Sequence, residues 1–119
     1  MNAEMDLARQ WLAKAENDLL NADNNLRSEI VPYDTVCFHC QQAAEKLLKA
    51  YLVARGVQPP FTHDLLLLLD DLALLMPYAV GVRYPDELFM PTHEDACEAR
   101  KAAQDVLEWL KSHLEGLFL

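Results

Sequence analysis

The chain has 119 residues, 52% of them apolar, only 3 glycines, and a formal net charge of −9 from 10 basic and 19 acidic side chains. That length fits a single domain, residues 1–119, able to bury a core without disulfide or metal support. The acidic balance argues against a general nucleic-acid binder, whose affinity rests on Lys and Arg neutralising phosphates. The longest apolar run, Leu65 to Leu69 and then Leu72 to Met76 after two aspartates, is too short and too charged to span a bilayer.

Scarce glycine and the absence of strictly alternating β-branched residues favour an all-α fold. The three cysteines are an odd number and the opening MNAEMD has no apolar core, so reduced thiols in a cytoplasm are expected. From Ala3 to Arg27, Leu7, Trp11, Ala15, Leu19, Ala22 and Leu26 recur at three- and four-residue spacings, which predicts a first amphipathic helix with Trp11 as a packing residue. Pro32 ends the connection that follows, and Asp34 is the expected N-cap of the next helix.

That second helix, Asp34 to Arg55, is the central one. On a helical wheel Val36, Cys40, Ala43, Ala44, Leu47, Ala50, Tyr51 and Ala54 fall in one apolar arc, widened by Cys37 and Leu48 to about 160°. His39, Gln42, Lys46 and Lys49 fall together on the opposite side, with Gln41 and Glu45 at its edge, so this helix has one decorated face. Gly56 is the expected stop, and the two prolines of VQPPF forbid helix. Thr62 caps a third helix, THDLLLLLDDLALL, whose five successive leucines require burial on most sides or cover by a second subunit.

Pro77, Gly81, Pro85 and Pro91 break up the next stretch, which holds at most a short helix around Pro77 to Val82 before the loop VRYPDELFMP. The last helix starts at Thr92, with Asp95 three residues on as a relative of the capping box, and runs through Ala96, Ala99, Ala103, Val106, Leu107, Leu110, Leu114 and Leu117. Gly116 is expected to fray its end and leave Leu117, Phe118 and Leu119 as an apolar tail. The whole reads as a four- to five-helix antiparallel up-and-down bundle.

Cys37, His39 and Cys40 are ligand types for zinc, but on one helix His39 points about 100° or more away from both cysteines. Structural thiols are the expectation, with no metal and no cofactor. His63, Arg83, His93 and Lys46 are the residues that would assemble a site holding a phosphate or protonating a leaving group. Lys46, Lys49, Arg83 and Tyr84 are the candidates for binding a nucleotide or a partner. No nucleophile elbow or phosphate-binding glycine loop is present.

The string FHCQQAAEKLLKAYLVARG, then THDL at Thr62 to Leu65 and RYP at Arg83 to Pro85, resembles the HEPN domain family. So does the opening helix, with Trp11, Leu12, Lys14, Ala15, Asp18 and Leu19, and the resemblance covers about residues 5 to 115. It implies a helical bundle that commonly dimerises, often as one half of a toxin–antitoxin-like pair with a minimal nucleotidyltransferase. Several members are metal-independent RNases carrying an Arg and a His separated by four to six residues. This chain departs there: Arg83 and His93 have nine residues between them, Arg55 and His63 seven, and Arg100 and His113 are further apart still. The expected function is thus a non-catalytic dimeric subunit binding a nucleotidyltransferase, with an exposed apolar patch near Leu65 to Leu69 or Phe118. The alternatives are a divergent RNase using His63, Arg83 or His93, and a nucleotide-binding module at the dimer interface.

Overall fold

In the computed structural model the described residues are 2–56 and 90–118, and their regular structure is helical. They form α1 (Ala3–Leu26), α2 (Tyr33–Ala54), α3 (His93–His113) and a 3-10 turn, η1 (Glu115–Phe118). No strand occurs among the described residues. The helices expected from Thr62 and around Pro77 to Val82 lie outside them.

Each helix start has a local cause. Asn2 Oδ1 takes the otherwise unpaired N–H groups of Glu4 at 3.0 Å and Met5 at 3.2 Å, which begins α1. Thr92 and Asp95 close a full capping box on α3: Thr92 Oγ1 accepts the Asp95 N–H at 3.1 Å, and Asp95 Oδ2 accepts the Thr92 N–H at 2.9 Å. At the start of α2 the expectation is corrected. Pro32 holds the cap position and the helix begins at Tyr33, so Asp34 lies in the first turn, where its Oδ1 takes the Thr35 N–H at 2.9 Å. Proline at the cap forgoes a side-chain bond, and the carboxylate just inside satisfies one of the orphan donors instead.

Gly56 ends α2 as expected. It has φ of +80°, with its N–H on the Val53 carbonyl at 3.0 Å, a conformation that a side chain would strain. The far end of α3 differs from the expected long helix. The α-helix stops at His113, and η1 folds back so that Leu117 is buried and Phe118 packs partly against the core. Arg9 holds this turn by donating from Nη2 to the Gly116 carbonyl at 3.3 Å. Phe118 is therefore engaged on the body, and Leu65 to Leu69 lie outside the described residues.

Helix α2 is the middle layer: α1 and α3 both pack along it and meet each other only sparsely. The expected arc of α2 is buried from Val36 to Ala50, with Tyr51 and Ala54 half-buried. Small residues let the helices approach closely. Ala8, Ala15 and Ala22 on α1 and Ala43, Ala44 and Ala50 on α2 are all fully buried, as are Ala96 and Ala103 on α3. The same seam rotates α1 from its expected face, so that Ala8, Leu12, Ala15, Leu19 and Ala22 point inward while Leu7 is left 45% exposed. Trp11 is half-buried against the core, as a packing residue should be.

Overfilling that seam should be felt at once. Ala15→Leu is expected to lower unfolding stability by about 1–3 kcal/mol, read as a lower urea midpoint at unchanged slope, whereas Ala13→Leu on the exposed side of α1 should change it little.

Candidate functional site

The polar side of α2 is largely covered. Gln41, Glu45 and Lys49 are 3%, 1% and 7% exposed, so the decorated face of the central helix is an internal surface among its neighbours. Burying polar groups is unfavourable unless each finds a partner, and for His39 and Lys46 the partner comes from α1. Asp18 lies on the inward stripe of α1 between Ala15 and Ala22 and is itself buried. Its Oδ1 accepts from His39 Nδ1 at 2.8 Å and its Oδ2 accepts from Lys46 Nζ at 2.6 Å. An ionised carboxylate only accepts, so the His39 proton sits on Nδ1 and Nε2 faces away from the pair. His39 and Lys46 are two turns apart on one face of α2, and Asp18 bridges them from across the helix interface.

One turn further along, Lys49 Nζ lies 3.2 Å from Glu45 Oε1 and 4.9 Å above the centre of the Trp11 ring. The indole face and the carboxylate together compensate the buried ammonium. The two lysines singled out for nucleotide or partner binding are thus both engaged within the chain, Lys46 by α1 and Lys49 by its own helix and Trp11.

His93 is the first residue of α3 and is exposed. Its ring stands edge-on to Tyr33 at 5.6 Å, and its Nε2 is 3.4 Å from Cys97 Sγ. Tyr33 begins α2, so His93 is displaced from Lys46 by more than three turns, roughly 20 Å along that helix. The structure does not bring these two together. His63, Arg83 and Tyr84 lie outside the described residues. A reading of the sequence put His39 and Lys46 on one face of α2 but missed Asp18 as the partner that joins them, and the available signal was Asp18 itself, a charge on the apolar stripe of α1.

A second tie joins α1 to α3. Arg100 donates from Nε to Asp23 Oδ1 at 2.7 Å and from Nη2 to Asp23 Oδ2 at 3.1 Å, and its Nη1 reaches Gln104 Oε1 at 3.0 Å. This fork fixes the guanidinium and, through its bond to Asp23, pushes its pKa further up. Arg100 is therefore a structural cross-link between helices.

The thiols fall into two kinds. Cys37 and Cys40 are buried and Cys97 is exposed. Burial pushes the Cys40 thiol up to about 12, and burial raises Cys37 as well, with Asp95 and Asp34 adding to it. Among the described residues no group of three His, Cys, Asp or Glu side chains is placed to hold a metal ion.

These environments make two measurable statements. A maleimide reagent at neutral pH should label the native chain at Cys97 alone, with Cys37 and Cys40 reacting only in denaturant; labelling of either on the folded chain would contradict their burial. Arg100→Lys keeps the charge but loses the fork, and should lower stability by about 1 kcal/mol, since the pair is partly exposed.

Comparison with known proteins fits this architecture. The family model described as the HEPN domain matches residues 8–113. A protein of Methanocaldococcus jannaschii named "Putative toxin MJ1304" is 31% identical over 136 aligned residues, which cover 91% of this chain and 88% of the relative. No solved structure matches the chain. Nearly the whole helical body, from the second turn of α1 to the end of α3, is thus accounted for by one family, and the chain belongs to the HEPN domain family.

Proposed function

We propose that this chain is the HEPN subunit of a two-component, toxin–antitoxin-like system, acting in the cytoplasm as a homodimer that binds a partner protein, a minimal nucleotidyltransferase. The similarity to an archaeal protein named as a toxin supports the system class. The observation that carries the binding role, as opposed to a catalytic one, is the state of the cations. Lys46 and Arg100 are each held by an aspartate and Lys49 by Glu45, so these groups are already compensated within the chain. Phosphodiester cleavage requires a cation aimed at developing phosphorane charge and an acid–base pair beside it. The spacing of Arg and His in this chain also differs from that of the family's RNases. In the same reading the complete bundle has four or five helices, the leucine-rich segment from Thr62 supplying one of them and part of the surface that a second subunit covers.

Native mass spectrometry of the tagged chain isolated from its host at low salt tests this directly. The expected species is a homodimer with a second, larger polypeptide in fixed ratio, and the purified chain alone should leave single-stranded RNA intact with chelator present. Cleavage that survives chelator and is abolished by Arg83→Ala or His63→Ala would establish the RNase reading in its place. A bare dimer whose melting temperature rises with ATP or GTP would favour nucleotide binding.

A further inference from the structure

The start of α3 carries a nucleophile that the partner-binding role does not use. Cys97 and His93 lie one turn apart on α3, both are exposed, and Cys97 Sγ stands 3.4 Å from His93 Nε2. The thiol is therefore within reach of a base on its own helix face. The Tyr33 ring meets the imidazole edge-to-face at 5.6 Å and holds its plane from the neighbouring helix. A nucleophile, a base beside it and a third group that orients the base are the parts that make a thiol more reactive than an isolated cysteine. Cys37 and Cys40 are withdrawn from such chemistry, because both are buried and burial holds their protons on.

The charges around the pair select among its reactants. Glu94, Asp95 and Glu98 flank it on α3, and Asp34 follows Tyr33 at the start of α2. Asp34 and Asp95 both act on Cys37, so carboxylates from the two helix starts converge on one end of the bundle. The next cations along α3 are engaged, Arg100 by Asp23 and Lys101 by Asp105. Such a surface repels an anionic reagent and draws a cationic one. We propose that Cys97 and His93 form a thiol–disulfide exchange site at which small disulfides of neutral or cationic thiols, aminothiols above all, modify the chain. His93 Nε2 takes the Cys97 proton as Sγ attacks one sulfur of the disulfide. The S–S bond of the reagent breaks and a mixed disulfide forms at Cys97. The departing thiolate recovers the proton from the imidazolium and leaves as a free thiol, so Cys97 is oxidised and the departing sulfur reduced with no further oxidant. This goes beyond the partner-binding reading and does not depend on it, because the pair belongs to a single chain.

The test follows adduct formation on the reduced full chain by intact mass at neutral pH and low salt. The probes are cystamine, which is cationic, bis(hydroxyethyl) disulfide, which is neutral, and dithiodipropionate, which is anionic. Each rate is divided by that of N-acetylcysteine amide with the same disulfide, which removes the reagent's own reactivity. Wild type should take one adduct, at Cys97, and cystamine should react at least tenfold faster than with the free thiol. Dithiodipropionate should gain about tenfold less than cystamine, with the neutral probe between them, and added salt should narrow the spread. His93→Gln replaces an exposed side chain, so the variant should melt as wild type does. It should slow cystamine exchange by about tenfold, and in urea its Cys97 should react at the wild-type rate. That convergence assigns the loss to the folded pair. A folded His93→Gln chain that reacts as fast as wild type, or a wild type no faster than the free thiol, overturns the proposal. Equal gains for the cationic and anionic probes overturn the selection by charge, and an adduct on folded Cys97→Ser overturns the assignment of the site.

Discussion

The position of α1 on α2 depends on one carboxylate. Alanine seams set how near the two helices come, but a seam of small, similar residues permits sliding by a turn with little change in contact. Asp18 removes that freedom. Its two oxygens meet His39 and Lys46, and a shift by one turn would leave three buried or half-buried polar groups without partners. A buried ion pair is weak evidence for added stability, because desolvation offsets much of the attraction. Its clearest role is to select one register among packings that apolar contacts alone would leave nearly equal.

The fork from Arg100 to Asp23 does for α1 and α3 what Asp18 does for α1 and α2. These two helices touch each other little, and a planar, two-point bond is well suited to fixing orientation across a sparse contact. With Arg9 on the Gly116 carbonyl, α1 is tied by side-chain bonds to every other described element. The acidic chain thus spends several of its few cations on holding itself together.

What the sequence disclosed was what is decided locally. The Thr92 box, the Gly56 stop and the apolar arc of α2 all depend on residues within a few positions of one another, and all three stand as read. Asp34 was misplaced by a step because Pro32 competes for the same cap position and favours an earlier start. Ala15, Leu19 and Ala22 lie inward on α1 as read, but at its start close approach rewards Ala8 over the larger Leu7, a preference that exists only once α2 is in place. The polar stripe of α2 was legible as a stripe, but its burial was not. Whether Lys46 faces solvent or an aspartate is decided by Asp18, 28 positions away in the chain. Sequence could show the charge on the apolar stripe of α1 but not what it would meet.

The alanine seam has a consequence for how this protein tolerates change. Alanine gives up almost no side-chain rotamer entropy on burial, so a seam built from it is inexpensive to order beside larger buried anchors such as Leu47, Leu48 and Leu110. It is also asymmetric: most substitutions at Ala8, Ala15, Ala43 or Ala103 add volume where helices already touch, and only glycine removes any. Sequence drift in such a core has one direction closed to it. The exposed helix faces are where this chain is free to diverge, and with them any surface it offers to another molecule, so subunits with this interior can share one body and still differ in whom they meet.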